Sequence, residues 1–193
     1  MTAPDLVAAL LPVIEALDSL GVRYYVGGSV ASSIHGVPRA SIDADVIAEL
    51  GAEQVAPLAA RLSAHFYLDE GRMRDAVERR LSFNVIHLAT MFKIDVFVSK
   101  ARPFDREAAA RAREQAIDEA PDAPRFPIAS AEDTVLAKLE WFRLGAETSE
   151  RQWWDIIGVL KVTPEADREY LRHWAASLGV AALLERALAD AAV

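Results

Sequence analysis

Along the first twenty residues apolar side chains recur at helical spacing, at Leu6, Leu10, Leu11, Ile14 and Leu17. Gly21 follows at the position just past a helix end where glycine is favoured. The pattern predicts a helix over 5–20, and the period then changes. Residues 22–26 are short, apolar and rich in β-branched and aromatic side chains, and they run into Gly27, Gly28 and Ser29. A strand is therefore expected to meet a glycine turn, with Ser29 capping a helix over 30–35 that Gly36 and Pro38 stop. Residues 41–50 alternate Ile42, Ala44 and Val46 against Asp43 and Asp45, which predicts a second strand.

Helical periodicity resumes over 53–64, and 72–80 reads as a short charged helix. Two apolar runs, 81–88 and 91–98, are separated only by Ala89 and Thr90 and suggest an antiparallel hairpin with Asp95 in its second arm. A charged helix is expected over 106–117, and the run PDAPRFP reads as a linker. Ser130 with Asp133 three residues later resembles a capping box, opening helices over 131–145, 149–161, 164–177 and 179–190. The expected fold class is α/β (α+β), a small mixed β-sheet flanked by helices. Its core is expected over 1–120, with a C-terminal helical region over 121–193 packed on it.

Composition narrows the function classes. A chain of 193 residues with 52% hydrophobic and 26% charged residues is globular rather than disordered. No segment approaches the roughly 20 uninterrupted apolar residues of a membrane helix. The N-terminal segment lacks a basic leader and carries Asp5 and Glu15, so a cytoplasmic protein with no membrane partner is expected. The absence of cysteine removes disulfides, thiolate catalysis and sulfur-ligated metals, so any metal must be held by oxygen or imidazole. A net charge of −8 argues against a general nucleic-acid coating protein and leaves room for a local basic patch.

The candidate chemistry lies in the second strand. Residues i and i+2 of a strand share a face about 6.6 Å apart, so Asp43 and Asp45 aim together among apolar neighbours. Two such charges need a cation, a proton or basic partners to compensate them. Mg²⁺ takes hard oxygen ligands, and Asp95 arriving from an adjacent strand would complete a site for it. Such a site activates an attacking hydroxyl and stabilises a pyrophosphate leaving group. The alternatives are that Asp43 and Asp45 pair with Arg39 or cap a loop, and that Asp95 pairs with Lys93. Upstream, Gly27 and Gly28 permit close backbone approach, and the amide and hydroxyl of Ser29 open a helix whose positive end suits a phosphate, so both halves are expected to face one ligand.

The stretch GGSVASSIHGVPRASIDADVI resembles the signature of the nucleotidyltransferase (polymerase β-like) superfamily, and Asp95 in FKIDVFV matches its third acid. The run SAEDTVLAKLEWFRLGAETSERQWWDIIGVL is similar to the helical portion of AbiEii-type nucleotidyltransferases, a group that includes toxins of toxin–antitoxin systems. The resemblance spans most of residues 22–162. It implies Mg²⁺-dependent transfer of a nucleoside monophosphate from an NTP to a hydroxyl or phosphate acceptor, tRNA or protein, with an antitoxin protein as partner. Asp43, Asp45 and Asp95 would hold the metal and carry catalysis. Gly28, Ser29, Arg39 and Lys138 would bind nucleotide, with Lys138 on the phosphates and Asp155 supporting the site from the next helix. Two alternatives remain, a small acceptor such as an aminoglycoside, drawn to a negative cleft, and a non-catalytic relative that binds nucleotide or a protein partner.

Each residue also has a structural reading. Lys138 flanks an apolar stripe with Leu136 and Leu139, so its stem can cover core. Asp155 is spaced to pair with Arg151, and Arg39 with the strand acids. Trp141, Trp153 and Trp154 are expected in the core, although they have the means to stack a base. His35, His65, His87 and His173 have no metal-ligand spacing and read as structural. The arginine-rich segments 72–80 and 100–113 are interrupted by acids and read as solvated helical faces.

Overall fold

In the computed structural model, which describes residues 3–118 and 120–192, the chain begins with α1 (Ala3–Ser19), β1 (Tyr24–Val26), α2 (Gly28–His35), β2 (Asp43–Ala48) and α3 (Ala52–Leu62). It continues through β3 (Phe66–Tyr67), α4 (Glu70–Arg79), β4 (Ser82–His87), β5 (Lys93–Val98), α5 (Pro103–Arg111), β6 (Arg113–Ala116) and β7 (Arg125–Ile128). The last elements are α6 (Ala131–Leu144), α7 (Glu150–Val162), α8 (Arg168–Leu178) and α9 (Ala181–Ala191). Among the described residues the strands form one seven-stranded mixed sheet in the order β3-β4-β5-β2-β1-β7-β6. β2 runs parallel to β5 and β1 parallel to β7, while the other neighbours are antiparallel. The α/β class is as expected. The chain divides into two compact units, Met1–Gly27 with Ala40–Ile128, and Gly28–Arg39 with Ala129–Val193.

The sheet unit follows from period-two patterning. Ala44, Val46 and Ala48 of β2 have no exposed surface, and Ile94, Val96 and Val98 of β5 are buried with them. α1 packs against β2, β5 and α3, and α4 packs against β4 and α3. Asp43, Asp45 and Ile47 alternate with the buried residues of β2, as Lys93, Asp95 and Phe97 do on β5, and all six are half-buried on the other face. α1 stops where predicted: Gly21 adopts φ +64° and the Val22 N–H closes on the Leu17 carbonyl at 3.0 Å. Gly28 has φ +54°, which meets the expectation of a glycine turn after β1.

Three expectations fail locally. The charged helix predicted over 106–117 ends at Arg111, and residues 113–116 instead pair antiparallel with 125–128, of which 125–127 lie in the segment read as a linker. Pro127 and the charged composition mask this hairpin in the sequence, because proline supplies no ladder donor. Tertiary burial decides: Phe126 and Ile128 are completely enclosed. The two-residue hairpin turn at Ala89-Thr90 is a longer loop over 88–92. There Thr90 Oγ1 meets His87 Nδ1 at 2.9 Å and Met91 takes φ +56°. β3 has two residues and leaves no pattern to detect.

In the helical unit, α6 packs on α7, and both receive α2. Ser130 caps α6 as expected: its hydroxyl donates to Asp133 Oδ2 at 2.7 Å and accepts the Asp133 N–H at 3.1 Å. Gly36 is needed for a different reason, since a Cβ there would lie 2.9 Å from the Ser32 carbonyl oxygen and 2.9 Å from the Val159 amide nitrogen. The end of α2 therefore rests against the α7 backbone at a distance no other residue allows. Trp153 is core, with its ring 5.0 Å from Phe142 and its indole N–H donating to Asp190. Trp141 and Trp154 depart from the core expectation, at 49% and 67% exposed. The helix period turns them away from the buried stripe. Among the described residues no helix is long and apolar enough to cross a membrane.

Ile94 lies in the middle of β5 with no exposed surface. Ile94→Ala is expected to lower unfolding free energy by about 2–5 kcal/mol in urea denaturation, through lost burial and the cavity left behind. A loss below about 0.5 kcal/mol would mean that β5 is not the packed centre of the sheet.

Candidate functional site

β2 and β5 fix the carboxylates. Their parallel register makes Asp43 the Cα partner of Lys93 and Asp45 the partner of Asp95, so four charged side chains share one face of two neighbouring strands. On the far side of β5, Asn84 of β4 is the antiparallel partner of Asp95. Asp45, Asp95 and Asn84 therefore form one row across three strands. Asn84 escapes a reading of the sequence because only the hairpin register brings it there.

Lys93 is the cation seated among these acids. Its Nζ lies 2.6 Å from Asp95 Oδ2 and 3.8 Å from Asp43 Oδ2. The hydrogen bond to Asp95 raises the Lys93 pKa above its ordinary value, partial burial opposes this, and the charges of Asp95, Asp43 and Asp45 add to the rise. The alternative pairing of Asp95 with Lys93 is thus present, within the row that joins Asp95 to Asp45. Among the described residues no group of three His, Asp or Glu side chains is gathered closely enough to hold a metal ion in the arrangement the side chains adopt.

The helical unit holds a second charged cluster. Arg39 Nε donates to Asp155 Oδ1 at 2.8 Å and Nη2 to Oδ2 at 2.8 Å, a bidentate pair spanning 116 positions of sequence. Lys138 Nζ donates to the same Oδ2 at 2.8 Å. The Lys138 and Asp155 side chains are only 10% and 9% exposed, and that of Arg39 25%. Burial pushes the Asp155 carboxyl up, but the hydrogen bonds and charges of Arg39 and Lys138 together outweigh it and hold the carboxyl below its ordinary value of 3.8. Asp155 therefore bridges Arg39 and Lys138, where the sequence suggested the neighbouring Arg151. The close seat of Gly36 on α7, with Val37 against Gly158, brings Arg39 within reach. At the start of α2, Ser29 is buried, with 5% of its surface exposed. His35 Nε2 lies 2.7 Å from the Ala129 carbonyl oxygen, and His87 Nδ1 lies 2.9 Å from Thr90 Oγ1.

The predicted residues thus fall into two groups: Asp43, Asp45 and Asp95 on the sheet, and Gly28, Ser29, Arg39, Lys138 and Asp155 in the helical unit. The architecture that carries them is the fold of nucleotidyltransferases. The antibiotic-resistance factor ANT(2'')-Ia, solved in solution, matches with a TM-score of 0.59 at 14% identity, covering 96% of this chain and 97% of that one. A crystal structure of ANT(2'')-Ia in complex with adenylyl-2''-tobramycin matches with a TM-score of 0.56 at 14% identity, over 90% of this chain and 96% of that one. An antigenic nucleotidyltransferase-like protein from Paracoccidioides brasiliensis matches with a TM-score of 0.52 at 14% identity, over 93% and 90%. No protein-family model and no curated protein matches the chain.

Removing Asp155 takes the carboxylate from the buried Lys138 ammonium and breaks the bidentate pair with Arg39, so Asp155→Ala is expected to cost about 3 kcal/mol, the lower end for a broken buried pair because Arg39 is partly solvated. A carboxylate with a depressed folded pKa stabilises the protein above its unfolded value and loses that contribution as pH falls through the folded value. The stability difference between wild type and Asp155→Asn should therefore be constant from pH 5 to 7 and shrink only below pH 3.8. Urea denaturation across pH checks this, and a difference already shrinking at pH 6 would contradict it.

Proposed function

We propose that this chain is a nucleotidyltransferase that moves a nucleoside monophosphate from an NTP onto a hydroxyl of a small, cationic acceptor. The observation that carries the reading is the register pairing of Asp45 with Asp95, with Asp43 on the same face, in a fold shared with nucleotidyltransferases. Mg²⁺ fits the donor set, since hard carboxylate oxygens are its preferred ligands, and the ammonium seated between Asp43 and Asp95 marks a demand for positive charge there. Asp43, Asp45 and Asp95 would hold the ion. When bound, it supplies activation of the acceptor hydroxyl and charge stabilisation for departing pyrophosphate.

The chain's own residues do the rest. Asp95 accepts the proton that the acceptor hydroxyl loses. The turn at Gly28 lets the backbone approach a phosphate closely, and the Ser29 amide and hydroxyl bind it at the helix start. Lys138 and Arg39 supply positive charge toward the phosphates, and Asp155 positions both cations through its two oxygens.

The small acceptor is favoured over tRNA by the state of α4. Its exposed Arg72, Arg74 and Arg79 are each paired with an acid, Asp69, Glu70 and Asp75, so they form no basic wall for a polynucleotide. A net charge of −8 suits a cationic acceptor. The adenylylated tobramycin held by ANT(2'')-Ia is an acceptor product of this class. The toxin reading, with an RNA or protein acceptor and an antitoxin partner, rests on the AbiEii-like spacing of Lys138 and Asp155 alone.

The test is pyrophosphate release from ATP, CTP, GTP and UTP with Mg²⁺ and a panel of aminoglycosides. Asp43→Asn is expected to slow release by at least about 100-fold, and Ser29→Ala to weaken nucleotide binding in calorimetry. Release by the Asp43→Asn protein at the wild-type rate would end this reading.

A further inference from the structure

Lys93 occupies an unusual place for a cation in a site that is to take a metal. It lies two residues before Asp95 on β5, hence on the same face, and it is the register partner of Asp43. Its ammonium thus reaches both strands, closing on Asp95 Oδ2 at 2.6 Å and standing 3.8 Å from Asp43 Oδ2. The side chain is 39% exposed, so it has solvent to move into. A divalent ion sharing an Asp95 oxygen with that ammonium would face a like charge at close range, and the two cannot be accommodated together without a large repulsion. Among the described residues no three acids are gathered closely enough to hold a metal ion, and Asp95 is already turned to an internal cation, the Lys93 ammonium.

We infer that Lys93 is a built-in counter-ion that a divalent metal must displace, so that this chain takes up metal by cation exchange. The inference rests on the metal-site reading of Asp43, Asp45 and Asp95. Lys93 steadies the acids when no metal is present and weakens the site for free Mg²⁺. Metal uptake then depends on the nucleotide, whose phosphates add ligands for the ion and offer the displaced ammonium a new partner. Exchange also sets a preference, because an ion that binds carboxylates more strongly than Mg²⁺ does, such as Mn²⁺, competes better with the ammonium.

Calorimetry of Mn²⁺ and Mg²⁺ binding to the whole chain without nucleotide tests this, using wild type, Lys93→Gln, Lys93→Arg and the double variant Lys93→Gln with Asp43→Asn. Circular dichroism verifies that each is folded. Lys93→Gln should bind at least 10-fold more tightly than wild type, Lys93→Arg should bind as weakly as wild type, and the double variant should lose the gain. Thermal melting gives an independent readout. Lys93→Gln should melt below wild type without metal and recover a larger rise on adding Mn²⁺. Equal affinity of wild type and Lys93→Gln, abolished in the double variant, would overturn the role of Lys93 while leaving the carboxylate site standing. Binding by none of the four proteins would overturn both.

Discussion

The parallel pairing of β2 with β5 is the constraint on which the sheet's chemistry depends. A parallel register set by Ala44, Val46 and Ala48 against Ile94, Val96 and Val98 leaves the intervening residues no choice of neighbour. Three carboxylates are thereby held on one face by the burial of apolar side chains on the other. Like charges about 5–7 Å apart near a protein surface repel by about 2–3 kcal/mol per pair at an effective dielectric near 20. Burying each large apolar side chain stabilises by about 1.5–3 kcal/mol. The hydrophobic face is larger, so it dictates the register and the charged face must find its own compensation.

The helical unit solves the opposite problem. There a single carboxylate is shared by two cations, and burial alone would favour its protonated form. Two guanidinium bonds and one ammonium bond reverse that preference. Arg39 and Lys138 are thereby held in place by one side chain. The sheet face thus carries three carboxylates around one ammonium, and the helical cluster two cations around one carboxylate.

Much of this was legible in the sequence because the signals are local. Period-two alternation exposed β2, helical spacing and Gly21 bounded α1, and Ser130 with Asp133 marked the start of α6. The acids Asp43 and Asp45 stood out because they interrupt an apolar strand. The β6–β7 hairpin was hidden, because its residues pair for the sake of Phe126 and Ile128 rather than through their own propensity. The partners of Asp155 were hidden too. Arg39 lies 116 positions away, and only a glycine pressed on α7 brings the two together. Asn84 joins its row through hairpin register, which no spacing along one strand reveals.

The helical unit is discontinuous in sequence, since α2 is separated from α6 and α7 by nearly the whole sheet unit. During synthesis α2 therefore emerges long before the helices it packs on, and must wait for translation to pass Asp155. Contacts of such long range close slowly, because loop-closure entropy is lost before any contact rewards it. The sheet unit, whose last strand ends at Ile128, is complete in the nascent chain before Asp155, which Arg39 grips with two hydrogen bonds, has been synthesised. The order of assembly is in this way written into the chain's topology: the scaffold of acids first, the cluster of cations last.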